Sequence, residues 1–473
     1  MLKSSSVNQH TSQGEQMLAR AQLRIISIAS LAGLLFGFDT AVIAGVTQAL
    51  RAAFGLSPAA LGLAVSAALW GTLLGAIAAG RPGDQFGART VLRFIGLLYA
   101  VSALGCALSW SLPSFIVFRF LTGVAIGASS VLAPVYIAEV APAPKRGALV
   151  GLFQINIVIG ILLAYVSNFA VAQLIGGEQL WRWKLGMAAI PACAFLLLLL
   201  TIPHSPRWLL SKGRVSQAVD SFLRLGFADP QRVAQETQDA SRRGGENLGE
   251  RLSFALHRRP ILLAIGLGLF NQLTGINAIL YYLGDIFGAA GFSSMSSDLQ
   301  SVAIGLTNFV ATLFGMSLID RLGRRQLLLI GSVGMALSQG GVAFVMSAHA
   351  AQGLLLPLLV LFIASFAVSQ GAVIWVYLSE IFPTAVRARG QALGSATHWV
   401  ANALISAVFP AVAAVSRPAP FAFFAVMMVV QLVLVLRFLP ETRGVRLEDM
   451  QQALGAGVPS AEIGNMRQTS SNN

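Results

Sequence analysis

Residues 31–45 read LAGLLFGFDTAVIAG, and Asp39 is the only charged side chain between Ile25 and Gly45. About twenty apolar or small residues are enough to cross a bilayer as a helix. A carboxylate inside such a run costs at least about 2.5 kcal/mol on insertion scales, so its presence marks a functional position. The stretch therefore predicts a membrane helix and leaves Asp39 in need of a partner or a task.

The pattern recurs along the chain. Of 473 residues, 56% are hydrophobic and only 11% charged, against roughly a quarter charged in a soluble protein. Apolar runs separated by charge, Pro and Gly predict twelve spans, at roughly 22–45, 58–80, 90–111, 114–138, 148–172, 184–203, 260–288, 299–319, 326–347, 354–381, 390–413 and 420–439. The fold class expected is an all-α membrane protein with twelve transmembrane helices. The net charge of +13 would suit a nucleic-acid binder, but its placement argues against one. All of the 32 Lys and Arg except Arg51, Arg119, Arg182, Lys184 and Arg417 fall on alternate loops or tails. That is the positive-inside pattern and predicts both termini in the cytoplasm. The polar residues 1–21 lack a cleavable apolar core and read as a disordered tail. Cys106 and Cys193 lie within apolar runs and read as small buried hydrophobes, with no metal site or disulfide suggested. Short loops on the opposite face fit a bacterial inner (plasma) membrane.

The loop signals repeat. GRPGDQFGAR (80–89) follows the second span and GMSLIDRLGRR (315–325) ends the eighth; both carry Gly, an acid, then F/L-G-x-R. YIAEVAPAPKRG (136–147) follows the fourth and YLSEIFPTAVRARG (377–390) the tenth. PHSPRWLL (203–210) follows the sixth and PETRG (440–444) the twelfth. Three matched pairs in register imply two pseudo-symmetric six-helix halves, a layout typical of transporters. The expected organisation is a tail over 1–21, a half over 22–205, a cytoplasmic helical linker over 206–259, a half over 260–440 and a tail over 441–473. In the linker, Val215, Ala218, Val219, Phe222 and Leu223 recur with helical period.

The depth of Asp39 selects its partner. It lies six residues before the outer end at Gly45, about 9 Å at 1.5 Å per residue. Arg119 lies six residues into the fourth span from Pro113, at the same depth, and is the only basic residue deep within an N-terminal span. Arginine keeps its charge, so Asp39 is the switchable member. A static bridge that fixes helix packing is the alternative reading.

On these motifs, from GLLFGFD to PETRG, the chain resembles the sugar porter family of the major facilitator superfamily. It is similar in particular to bacterial xylose and hexose transporters linked to protons. The resemblance implies the major facilitator fold, a monosaccharide substrate and no cofactor. It assigns Asp39 and Arg119 to proton coupling, since the facilitative animal glucose transporters generally carry a neutral Asn at the first position. Glu139, Arg146 and Arg89 in one half, and Glu380, Arg387 and Arg325 in the other, are expected to clasp the cytoplasmic side. The family usually has R-x-G-R-R after the second span; here Gln85-Phe86-Gly87-Ala88-Arg89 keeps one arginine.

A sugar site needs amides for hydroxyls and aromatic rings for C–H faces. Polar groups are sparse in the spans, and Gln154, Gln272, Asn277, Asn308, Trp375 and Asn402 fall where the resemblance places sugar-binding residues. Trp399 matches a lining aromatic. Asn271 stands at the first place of a usual Gln pair, and His398 where Gln or Asn is common. Gly275 permits the seventh helix to bend, and Tyr281 and Tyr282 form either an outer gate or an interfacial belt. The expected activity is import of a pentose or hexose by proton symport with alternating access. A facilitative uniporter is the alternative, and a non-transporting sugar sensor a remote one. No nucleophile–base set, metal cluster or phosphate loop suggests an enzyme, and His10, His204, His257, His349 and His398 are scattered.

Overall fold

The computed structural model describes residues 20–142, 147–239, 252–348, 351–383 and 386–444 in full. Among them, twelve helices are long and apolar enough to span a membrane: Arg20–Gly45, Pro58–Ala78, Ala88–Ala107, Leu112–Val140, Gly147–Leu174, Leu180–Leu199, Phe254–Tyr281, Ser294–Leu322, Arg324–Ala348, Gln352–Glu380, Arg387–Val415 and Ala419–Phe438. These are the twelve expected spans, most within a few residues; the seventh starts six residues earlier and ends seven earlier than expected. The segments expected as tails fall almost wholly outside the described residues.

The repeat seen in the motifs is a repeat in bonding. Tyr136 Oη donates to the carbonyl of Pro203 at 2.8 Å, and Tyr377 Oη to that of Pro440 at 2.9 Å. Each bond joins the end of one span to the exit of the last span in its half. Gly87 and Gly323, the glycines of the matched G-x-R motifs, both hold positive φ, +83° and +88°. With ψ near 141° and 165°, a side chain would be strained there by about 1–3 kcal/mol, so glycine recurs where the chain turns sharply into the next span. Arg93 then donates to the carbonyls of Leu199 and Leu200, as Arg325 does to that of Leu436. Terminal helix carbonyls have no partner within their own helix, and a basic side chain supplies one.

The chain divides into two compact units, Met1–Val42 with Trp70–Glu246, and Ile43–Leu69 with Asn247–Asn473. The C-terminal end of the first span and the head of the second thus pack with C-terminal helices, although the sequence repeat assigns them to the first half. Within that second unit, Gln48 Nε2 donates to the carbonyl of Gly284 at 3.0 Å.

The linker forms short helices at Pro206–Ser211, Val215–Arg224 and Pro230–Gly244. Ser205 caps the first by accepting from the backbone of Trp208, whose indole N–H donates to the carbonyl of Asp84 at 2.9 Å. The apolar stripe is narrower than its period suggests. Ala218 and Phe222 are buried while Val215 and Leu223 are exposed, because a helix of nearly three turns meets its support along one line of contact. Cys106 is buried as expected, but Cys193 is exposed among the described residues, on a face of the sixth span that its apolar run does not distinguish from the packed one.

Candidate functional site

In the first unit, the pair expected from matched depth forms. Arg119 Nη1 donates to Asp39 Oδ1 at 2.7 Å, with the two side chains 4% and 8% exposed. The register of Arg119 is set where the fourth span begins. Ser111 and Ser114 form a capping box, each hydroxyl accepting from the other's backbone N–H, which closes the first turn and fixes the helix's rotation. One turn before Asp39, the carbonyl of Leu35 accepts from Tyr99 Oη at 3.2 Å. Nε of Arg119 is buried without a hydrogen-bond partner, so the guanidinium is only partly satisfied and leans on the one carboxylate. A proton on Asp39 would convert this ion pair into a weaker bond between an acid and a lone cation. Gln154, on the fifth span of the same unit, is half-buried.

In the second unit the predicted polar residues converge. The seventh span breaks at Gly275 (φ +79°), between helical stretches ending at Leu273 and starting at Ile276. A Cβ there would enter the ring of Phe424, so conformation and space both demand glycine. The break turns the amides inward. Asn277 Nδ2 donates to Gln272 Oε1 at 3.0 Å, and Gln272 Nε2 donates to Asn271 Oδ1 at 3.0 Å. The same Nε2 lies 3.2 Å from the ring of His398, an arrangement satisfied by a neutral imidazole that accepts. His398 sits between the rings of Trp375 and Trp399, with centroids at 5.4 and 5.0 Å. Asn402 Nδ2 donates to Tyr281 Oη at 3.4 Å and its carbonyl accepts from Ser406 Oγ. Asn308 is buried on the eighth span.

Tyr281 and Tyr282 are both buried within the protein, 4% and 1% exposed. Tyr282 donates to the carbonyl of Ser406 at 2.9 Å and stacks on Phe409 at 5.2 Å.

Two amides passed over in the sequence extend the cluster. Gln370 Oε1 accepts from Asn271 at 3.4 Å, Gln370 Nε2 donates to Gln431 Oε1 at 2.8 Å, and Gln431 Nε2 donates to Ser332 Oγ at 2.9 Å. Gln370 lies in a π-helical turn, Ala367–Gly371, of the kind that gathers at functional sites. The signal resembled the one Asp39 gave: a lone amide in a run of apolar and small residues, in SFAVSQGAV and VVQLVLV.

The loop motifs expected to form the clasp pair differently from expectation. The guanidinium on Glu380 is that of Arg324, by two bonds of 2.8 and 3.2 Å, and Arg325 instead caps the twelfth span. Consecutive helical residues point about 100° apart, so only one of the two faces the acid. Thr442 donates to Glu380 at 2.6 Å, and Glu441 accepts from the backbones of Arg324, Arg325, Thr442 and Arg443. Arg387 Nε donates to the carbonyl of Phe382 at 3.4 Å. In the first half, Arg89 Nε and Glu139 Oε2 each lack a hydrogen-bond partner, and the side chain of Arg146 lies outside the described residues.

The family model described as "Sugar (and other) transporter" matches residues 25–454. The D-xylose-proton symporter of Escherichia coli (strain K12) is 35% identical over 90% of this chain and 94% of its own. The arabinose-proton symporter of Bacillus subtilis (strain 168) is 33% identical, over 90% and 93%. Among solved structures, the inward open conformation of the xylose transporter XylE from E. coli superposes with a TM-score of 0.80 at 31% identity, covering 91% of this chain and 99% of that one. Twelve spans, a bonded tandem repeat and a match along nearly the whole sequence agree: this chain belongs to the sugar transporter family.

Proposed function

We propose that this protein is a secondary active transporter that imports a pentose or hexose by proton symport with alternating access. It would be a multi-pass protein of the bacterial inner membrane, with both termini cytoplasmic. The positive-inside distribution of Lys and Arg supports that orientation. Two six-helix halves, 22–205 and 260–440, joined by the linker 206–259, are the repeating bodies of this reading.

The observation that carries the mechanism is the buried 2.7 Å pair of Asp39 and Arg119. Proton binding at Asp39 releases Arg119 and neutralises the carboxylate, so the loaded carrier reorients with a different charge pattern from the empty one. Each proton drawn inward adds about 2.3 kcal/mol per 100 mV of membrane potential. Passive uniport is the second reading, and a carrier without coupling has no use for a buried carboxylate whose charge can be switched. Gln154, Asn271, Gln272, Asn277, Asn308, His398 and Asn402 are proposed to meet sugar hydroxyls, and Trp375 and Trp399 the C–H faces. The amides of the second unit now bond one another, and sugar hydroxyls would exchange with those bonds. Each exchange nets only about 0.5–1.5 kcal/mol, which suits a ligand that must also leave. Tyr281 and Tyr282 are proposed as an outer gate. Glu139, Arg146 and Arg89, with Glu380, Arg387 and Arg325, are proposed as the cytoplasmic clasp, to which Arg324 is added.

The test is Asp39→Asn in proteoliposomes. Sugar counterflow should persist while accumulation against a gradient disappears. Uphill accumulation by this variant would refute coupling through Asp39.

A further inference from the structure

Two of the five basic residues that escape the positive-inside pattern, Arg51 and Arg417, line one cavity of about 370 Å³ within the second unit. Ligand sites commonly hold about 300–1,000 Å³, so this one stands at the small end of the range. It collects residues that follow the first span (Gln48, Arg51), the seventh (Tyr282, Asp285) and the eleventh (Arg417). Those three spans run in the same direction, so the cavity lies at one membrane surface. One wall is aromatic. Tyr282 stacks on Phe409 at 5.2 Å, and Phe409 meets Phe421 edge-on at 6.2 Å. The amides clustered around Gln272 do not line it.

The polar lining mixes donors with acceptors. Arg417 Nη1 donates to the carbonyl of Ala289 at 3.0 Å, a bond that uses one of the five N–H donors of a guanidinium. Gln48 Nε2 is spent on the carbonyl of Gly284 at 3.0 Å, which leaves Oε1 to accept. Thr47 stands beside Asp285, but its hydroxyl and Asp285 Oδ2 are each buried without a hydrogen-bond partner. Arg51 is exposed and near enough for its charge to act on the same carboxylate. An anion here would meet Asp285, a cation would meet two arginines, and an apolar ligand would leave Asp285 Oδ2 unsatisfied. A small neutral ligand rich in hydroxyls, each able both to donate and to accept, answers every one of these groups. We propose that the cavity is a second monosaccharide site, with sugar hydroxyls on Gln48, Arg51, Asp285 and Arg417 and a C–H face on the aromatic wall. Tyr282, proposed as part of the outer gate, belongs to that wall, so a sugar held here is staged directly outside the gate. The staging role rests on the function proposed above; occupancy by a sugar does not.

The experiment is photo-crosslinking of the full-length protein in detergent with D-xylose and with D-glucose, each carrying a diazirine, followed by peptide mapping. Label removed by excess unlabelled sugar should fall on Leu283–Ala289 or 409–417, as well as on the amide cluster at 271–281. Asp285→Leu, close in size but without an acceptor, should need at least about tenfold more sugar for the same outer label. Ala414 lines the cavity and is exposed, so Ala414→Trp should fill the space and abolish the outer label with every polar group in place. Retained inner label reports that each variant is folded. In Gln272→Ala the inner label should weaken and the outer one persist. Inner label without outer label in the wild type overturns the second site and leaves the proposed function standing; label at neither position overturns both. Outer label undiminished in Asp285→Leu and Ala414→Trp also overturns the second site.

Discussion

Replacing Asp39 by Asn, Arg119 by Gln, and both together, separates a coupled ion pair from two independent polar residues. At 2.7 Å, opposite charges attract by about 6 kcal/mol at an effective dielectric constant of about 20. Withdrawing each ion from water costs several kcal/mol, so the intact pair is close to neutral for stability. Either single substitution strands a buried charge and should cost about 3–5 kcal/mol. The double variant leaves two amides able to bond each other and should lie within about 2 kcal/mol of the wild type. The singles should also differ. A stranded carboxyl sheds its charge by taking a proton, whereas a stranded guanidinium keeps its own, so Asp39→Asn should be the more damaging. The assay is unfolding in detergent, followed for all four proteins under one set of conditions. If the double variant loses the sum of the singles to within about 0.5 kcal/mol, the two residues are uncoupled. The electrostatic reasoning would then be wrong.

Three further outcomes are expected. Gly275→Ala meets both a positive φ and the ring of Phe424, so it should lower the yield of folded protein, at a cost of about 2–4 kcal/mol. Phe424→Ala in the same chain should recover only the packing part, as judged by size-exclusion profiles. Gln272→Ala strips partners from Asn271 and Asn277 and should weaken sugar binding about tenfold, for about 1.4 kcal/mol lost, measured by calorimetry with competing sugars. Burial, and then Arg89, Arg93 and Arg214, push His204 down to about 4. The unfolded chain takes this proton from about pH 6.5 and the folded one only near 4, so stability should decline as pH falls through that window. His204→Asn should flatten that decline in unfolding temperature against pH.

The sequence by itself determined which segments cross the membrane, because crossing depends on local length and apolarity. It also determined that the chain is a tandem repeat, and Gly275 marked where the seventh helix could bend. Asp39 and Arg119 were legible as partners because each was alone in its span and their depths agreed. Where several candidates lay close together, tertiary structure decided. Arg324 rather than Arg325 reaches Glu380, Gln370 and Gln431 join the amide cluster, and Ile43–Leu69 packs with the second unit. Each choice depends on how a helix is rotated and which neighbour it meets. In a bilayer, where lipid is as apolar as the helices, hydropathy does not encode that rotation; close packing and hydrogen bonds between helices set it.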